Sequence, residues 1–355
     1  MRVLFRKSYK QDIRLFRDRT QAFWYLLFLC IALAAPLFLD GYFLDELSFV
    51  YIYAIAGLGL MILTGFSGQV SFGQAAFVAI GAYAHTILLS RYGVPWILSL
   101  PLAALITGLV GLAIGRMHGL YLAIATLSIA IVTERLIGGG GDFTGGHRGL
   151  PVPGIDIFGI AIDQSWKTYL LNLALFVGAI LMTRNLLRTR SGRALIAIRD
   201  SEVSARSLGT NVAFYKAYAF FLSAVFAGLA GGLLAHAFYY ITPETFGMGE
   251  SIRLLLMIVV GGIGTIHGAI FGAFFIVLLP TVLSWVKVLL PGAIATSGGF
   301  DSLAFGMILL GFILFEPDGL YGRWVKIHHY FNVFPMYKRR SFQRQKTFLK
   351  TERLK

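Results

Sequence analysis

Residues 47–90 read LSFVYIYAIAGLGLMILTGFSGQVSFGQAAFVAIGAYAHTILLS, a run with no Asp, Glu, Lys or Arg. A helix that spans the hydrocarbon core of a bilayer needs about 20 mainly apolar residues, so this run holds enough for two. Its polar interruption is Gly68-Gln69-Val70-Ser71-Phe72-Gly73-Gln74. The run therefore divides into a clear span over 47–66 and an interrupted one over 68–90. Backbone N–H and C=O groups find no water in hydrocarbon, so a segment at that depth is helical or is covered by protein or a wet cavity. If the pattern of 47–90 recurs along the chain, the fold is an all-α membrane bundle.

It does recur. Further clear spans are 22–39, 95–115, 119–137, 168–187, 213–239, 269–290 and 300–316. A second interrupted stretch, 251–263, runs into Gly261-Gly262-Ile263-Gly264-Thr265. A dozen helical residues reach only about 18 Å, roughly half of the core. Composition agrees: of 355 residues, 57% are hydrophobic and 14% charged, with a mean hydropathy of +0.74. That apolar content excludes a disordered chain. The single Cys30 excludes a disulfide scaffold.

The formal net charge is nevertheless +14. Residues 1–19 carry +5, 184–206 carry +4, 323–355 carry +9, and the remainder −4. Lys and Arg collect on the cytoplasmic side of membrane proteins. Topology thus accounts for the basic balance, with membrane lipids as a further contact and no nucleic acid as partner. If the three basic blocks are all cytoplasmic, even numbers of crossings separate them. Five clear spans lie between the first two blocks, so 68–90 must supply a sixth. Three lie between the last two, so 251–263 must supply a fourth.

The expected architecture is a polytopic inner-membrane helical bundle of about ten crossings, two of them short or broken. It has a basic cytoplasmic N-tail over 1–21, a transmembrane domain over 22–322 and a basic cytoplasmic C-tail over 323–355. Within the domain, a cytoplasmic loop covers about 188–212 and a periplasmic loop about 138–167. The external segments then hold Asp40, Asp45, Glu46, Asp142, Asp156, Asp163, Glu244 and Glu250 against only Arg91, Arg148 and Lys167. The basic start, apolar run and Ala32-Leu33-Ala34 could form a cleaved signal peptide. Continuation of the run to Leu39 favours an anchor.

Gly264, Gly268 and Gly272 repeat every fourth residue, as do Gly111 with Gly115 and Gly228 with Gly232. That spacing lets membrane helices pack backbone to backbone. The two interrupted segments add polar groups: Gly68, Gln69, Ser71 and Gln74 in one, Thr265 and His267 in the other. We expect these six to line a translocation pathway, with Gly73, Gly262, Gly264 and Gly268 as structural breaks. Broken helices near the midplane are a transporter habit. Plain helix packing is the competing reading. His85 and His267 read as the only titratable groups deep in the spans, each more in keeping with a satisfied core histidine than with a proton relay. An ion-driven secondary transporter would show paired intramembrane acids, and the spans hold none.

The chain has no G-x-x-x-x-G-K-[ST], H-E-x-x-H or G-x-S-x-G motif. Cys30 lies in the first span, and His328-His329 lacks a second ligand pair. The expectation is a non-enzyme with no catalytic residue, no metal site and no cofactor bound by this chain.

The most informative polar stretch is residues 192–211, GRALIAIRDSEVSARSLGTN. It begins as a basic helix with Ala194, Ala197 and Ile198 on one side, followed by a short helix around 202–208 that Gly209 ends. A short, partly apolar helix between two spans needs a partner to cover it, and docking into a groove is the natural mode. This stretch resembles the coupling motif of permease subunits of bacterial ABC importers, in which Glu-Ala-Ala is followed after three residues by Gly. Here Glu202, Ser204-Ala205 and Gly209 stand in that pattern, with Ser204 in place of an alanine and the Glu one residue early.

More widely, the chain is similar to the LivM-type permease of branched-chain amino-acid importers. Residues 68–77 read GQVSFGQAAF, 144–150 TGGHRGL, 261–265 GGIGT and 317–322 PDGLYG, all in the family's order. The resemblance covers about residues 47–322 and leaves the basic C-tail outside it. It implies a permease subunit of an ATP-driven importer for branched-chain or related amino acids. Arg193, Glu202, Ala205 and Gly209 would couple it to the ATPase. It also implies a second homologous permease subunit, two ATP-binding subunits that supply hydrolysis, and a periplasmic solute-binding protein. Relatives of the same machine carry urea, amides, and aromatic or other carboxylic acids.

Overall fold

The computed structural model describes residues 19–333 apart from 116, 118, 158, 290–299 and 317. Most of both basic tails, 1–18 and 334–355, lies outside the described residues.

The apolar runs form helices where the hydropathy pattern puts them. They are α1 (Arg19–Ala34), α2 (Gly41–Leu60), α3 (Gln74–Ser90), α4 (Trp96–Ile114), α5 (Gly119–Gly139) and α6 (Ser165–Arg188). Two short helices follow, α7 (Arg190–Asp200) and α8 (Glu202–Ser207). Then come α9 (Val212–Phe238), α10 (Met248–Gly261), α11 (Ile266–Leu289), α12 (Phe300–Phe315) and α13 (Gly319–Val333). Six segments, α2 with its extension, α4, α5, α6, α9 and α11, are long and apolar enough to cross a membrane, and α1 and α3 are shorter apolar helices. The short α10 and α12 lie where the other two crossings were expected. α13 runs through 323, where the C-tail is expected to begin. Its sequence, GLYGRWVKIHHYFNV, holds no proline to stop a helix.

The centre of the bundle is α2 and α9, whose apolar windows are 83% and 72% buried, against 28% for α6. Close backbone approach builds that centre, as the glycine spacing implies. A Cβ on Gly81 of α3 would stand 2.8 Å from the Gly228 carbonyl carbon of α9, and closer still to its Cα. Gly108, Gly111 and Gly115 bring α4 onto Phe221, Ala224 and Ala217 of the same helix. Gly178 of α6 faces open space. Gly81→Leu is therefore expected to lower stability by about 1–3 kcal/mol or more through overpacking. Gly178→Ala should lower it not at all. Thermal unfolding of the two variants in detergent checks the contrast.

The helix ends sort to two sides. On one side, β1 (Leu150–Pro151) pairs with β4 (Tyr240–Ile241), and β2 (Asp156–Ile157) with β3 (Ile160–Ala161). Arg91 donates to the Asp142 carbonyl there, and Tyr240 to that of Arg148. Residues 91–95, 138–164 and 239–247 thus share one end. On the other side lie α7, α8, the end of α2 and the α10–α11 turn.

Candidate functional site

The residues of α7 and α8 make a folded unit rather than a loose loop. Thr189 caps α7 by accepting the Gly192 N–H at 3.3 Å, and Ser201 caps α8 by accepting the Ser204 N–H at 3.2 Å. Asn211 caps α9 by accepting the Phe214 N–H at 3.1 Å. Each cap satisfies a backbone donor that a helix start leaves open. Ile198, Ala205 and Val212 pack together beneath Tyr215 and bind the two short helices to the start of α9.

The apolar face expected from Ala194, Ala197 and Ile198 divides. Leu195 and Ile198 are buried, whereas Ala194 and Ala197 line an open groove of about 630 Å³ with Arg190, Arg193, Gly209 and Phe214. Leu208, which also lines the groove, is 84% exposed, and Val203 of α8 is 79% exposed. This surface thus sets exposed apolar side chains among arginines.

Of the four expected coupling residues, Arg193 and Gly209 reach this groove. Ala205 and Glu202 instead turn toward the chain. Ala205 is buried in the small core, and the Glu202 carboxylate accepts from Lys216 Nζ of α9. The Lys216 side chain is 5% exposed and that of Glu202 48%. Lys216 gave little signal in the sequence, because 14 residues separate it from Glu202 and no helical spacing links them.

The first break begins where α2 widens into a π turn, Met61–Phe66. Such turns are frequent at functional sites. The Gln69 N–H reaches back to the Leu63 carbonyl at 3.1 Å, and the chain then runs without helical structure to α3. Polar side chains of neighbouring helices satisfy it. Phe72 N donates to Thr126 Oγ1 of α5 at 3.1 Å, and Ala75 N to Ser251 Oγ of α10 at 3.0 Å. Gln74 Nε2 donates to Ser223 Oγ and Gln69 Nε2 to the Lys216 carbonyl, each at 3.3 Å. Gln69, Ser71 and Gln74 are all buried within this chain. Gly73 approaches the Thr126 carbonyl too closely for any side chain.

The second break, 262–265, is a tight turn at the α7–α8 end rather than half way through the bundle. Thr265 Oγ1 accepts the Gly268 N–H at 3.0 Å and starts α11. Gly268 packs on the Gly262 carbonyl, and Gly262 on Tyr321 of α13. His267 Nε2 lies 2.6 Å from the Tyr25 hydroxyl, and its ring stacks on Tyr321 at 5.1 Å. Gln69, Ser71 and Gln74 are buried within this chain, whereas Thr265 and His267 are half-buried.

The expectation that His85 and His267 are the only titratable groups in the spans is corrected. His85 meets His236 of α9 at 2.9 Å, with Ser99 at 3.0 Å on its other nitrogen. Trp96 donates to His236 at 3.0 Å. Lys216 and Arg253 also lie within apolar helices. The histidines sit far apart in sequence and become a pair only when α3 and α9 pack. Among the described residues, no group of three or more His, Cys, Asp or Glu comes together to hold a metal.

Residues 42–315 match the family model described as "Branched-chain amino acid transport system / permease component". The high-affinity branched-chain amino acid transport system permease protein LivM of Salmonella typhimurium is 34% identical over 328 residues, 84% of this chain and 75% of that protein. LivM of Escherichia coli is 32% identical over 82% of this chain and 73% of its own length. The autoinducer 2 import system permease protein LsrC of Salmonella typhimurium is 28% identical over 61% of this chain and 63% of its own length. No solved structure matches.

Proposed function

We propose, on the premise that the chain belongs to the permease-component family of branched-chain amino-acid transport systems, that it forms part of the pathway by which an importer carries those amino acids. Membership makes it a multi-pass inner-membrane subunit of a multi-subunit ABC transport complex, and a transport component rather than an enzyme. The observation that carries the mechanism is the α7–α8 groove. It is preshaped by its own small core and presents apolar side chains among arginines.

In this reading one of two ATP-binding subunits docks in the groove against Arg193 and the Gly209 rim, and Glu202 and Ala205 keep the groove in register. A second homologous permease completes the membrane unit. A periplasmic solute-binding protein delivers cargo to the opposite end, where 138–164 and 239–247 meet. Both termini and the 188–212 loop are then cytoplasmic, and lipids surround the bundle. Domain limits follow the sequence reading, with the tail after 322 beginning as a helix.

Gly68, Gln69, Ser71, Gln74, Thr265 and His267 flank the route and change exposure as the breaks flex. Two buried oxygens near the first break, Thr64 Oγ1 and Gln69 Oε1, have no hydrogen-bond partner. Such a group costs about 1–3 kcal/mol, a cost that a second conformation can relieve.

The cargo reading rests on the LivM relatives, while the likeness to LsrC shows that permeases of this kind serve a different solute class. Urea, amides and aromatic or carboxylic acids are the other cargoes to test. Proteoliposomes holding the full complex and its binding protein should take up labelled leucine, isoleucine or valine only with internal ATP. Uptake that survives omission of the ATPase subunits would point to an ion-driven carrier. Binding-protein-dependent uptake of another solute alone would transfer the function to that cargo.

A further inference from the structure

Arg199 lies two turns along α7 from the docking residue Arg193, on the side away from the groove. Its side chain meets three separate parts of the molecule. Nη1 donates to the Gly65 carbonyl at 2.9 Å. Gly65 is in the π turn that extends α2, and a helix end leaves such carbonyls open for a cation. The aliphatic stem lies under Gly68, where a Cβ would stand 3.3 Å from Arg199 Cγ. On Gly264, a Cβ would stand 3.2 Å from Nη1. Nε and Nη2 are held at 3.2 and 3.1 Å by Asp200 Oδ1, which fixes the guanidinium plane.

The two breaks are also in direct contact. A Cβ on Gly65 would stand 2.8 Å from Gly264 N and 2.9 Å from its Cα. Gly264 N donates to Met61 Sδ at 2.9 Å. Gly264 has φ +86°, a conformation that only glycine holds without strain. One arginine therefore ties the helix that carries the docking groove to the joints of both broken segments. Such non-helical joints are where a chain absorbs a change of φ and ψ.

We propose that Arg199 is the positioning residue that transmits movement of the coupling unit to both helix breaks, so that they open and close together. The proposal rests on the importer reading and names the contact through which that site acts. It requires an arginine. A planar fork can bond one carbonyl while its other edge is braced by a carboxylate, whereas a lysine ammonium offers a single compact charge. Asp200 braces, Gly65 receives the motion at the end of α2, and Gly264 receives it at the start of α11. Two non-helical joints sharing one braced side chain supply the physical link.

The test uses the complete complex in proteoliposomes with its binding protein, and reads complex recovery, ATP hydrolysis and solute moved per ATP. In Arg199→Gln the complex should be recovered and hydrolysis continue, while solute per ATP falls about tenfold, within the range for residues that carry coupling. Arg199→Lys should lie between Gln and the natural chain. Gly264→Ala perturbs the same contact from the other side, leaves α7 intact, and should give the same kind of loss. The double variant should lose no more than Arg199→Gln alone, because both act on one link.

Natural solute per ATP in Arg199→Gln, or additive losses in the double variant, would overturn the proposal. Should Arg199→Gln fail to assemble, unchanged coupling in Gly264→Ala overturns it as well. Uptake by the natural complex without ATP would instead remove the importer reading itself, so the two failures are distinct.

Discussion

Glu202→Lys is expected to abolish productive transport while ATP hydrolysis by the partner subunits persists. The natural carboxylate holds Lys216 Nζ, whose side chain is 5% exposed. Reversal leaves a buried ammonium without a counter-charge and adds a second one beside it. Breaking a fully buried pair costs about 3–5 kcal/mol. The Glu202 side chain is 48% exposed, so solvent screening reduces this to roughly 1–3 kcal/mol. The loss falls on the joint between α8 and α9, and the Lys216 carbonyl of the same residue accepts from Gln69 at the first break. The groove and the break are disturbed together.

A second variant separates electrostatics from simple unfolding. Replacing a buried pair by apolar or neutral groups is often neutral or stabilising. Glu202→Gln with Lys216→Met should therefore regain thermal stability and part of the solute moved per ATP. Normal transport by Glu202→Lys at normal expression would refute the role given to this pair.

The helices were legible because hydrocarbon allows few alternatives. An apolar run of about 20 residues has one way to satisfy its backbone there. The breaks were legible for the converse reason, since Gly68-Gln69 and Gly262-Ile263-Gly264 cannot continue a membrane helix comfortably. Their joint position was not legible. Gly65 and Gly264 touch through the packing of α2 with α11, and no local spacing encodes that contact. The same holds for Arg199, whose acceptor is 134 residues away, and for the His85–His236 pair, 151 residues apart. Glu202 and Ala205 were legible as part of a motif. Their inward orientation depended on Lys216 and Val212, which belong to the next helix.

Gly209→Pro is expected to uncouple the importer through the backbone alone. Gly209 has φ +81° and follows α8 as its left-handed end residue. Its N–H donates to the Arg206 carbonyl at 3.0 Å, and the Thr210 N–H donates to that of Ala205, also at 3.0 Å. This pair of bonds is the Schellman arrangement, which turns the chain sharply out of a helix. Proline fixes φ near −65° and carries no N–H, so both the conformation and the first bond are lost. The chain then cannot turn from Leu208 to the Asn211 cap of α9, and the groove wall made by Gly209, Thr210 and Phe214 is lost with it. No heavy atom lies within 4 Å of a Cβ built at Gly209, so crowding plays no part and the effect is purely one of backbone. Gly209→Ala, which strains the left-handed conformation by about 1–2 kcal/mol, should therefore weaken uptake only modestly. Gly209→Pro should cut it by about a hundredfold, as misplacement of a remote working part can. The check is solute moved per ATP in proteoliposomes at matched complex levels. Equal behaviour of the Ala and Pro variants would sink the backbone account. Full uptake in both would remove the α8 end from the coupling surface.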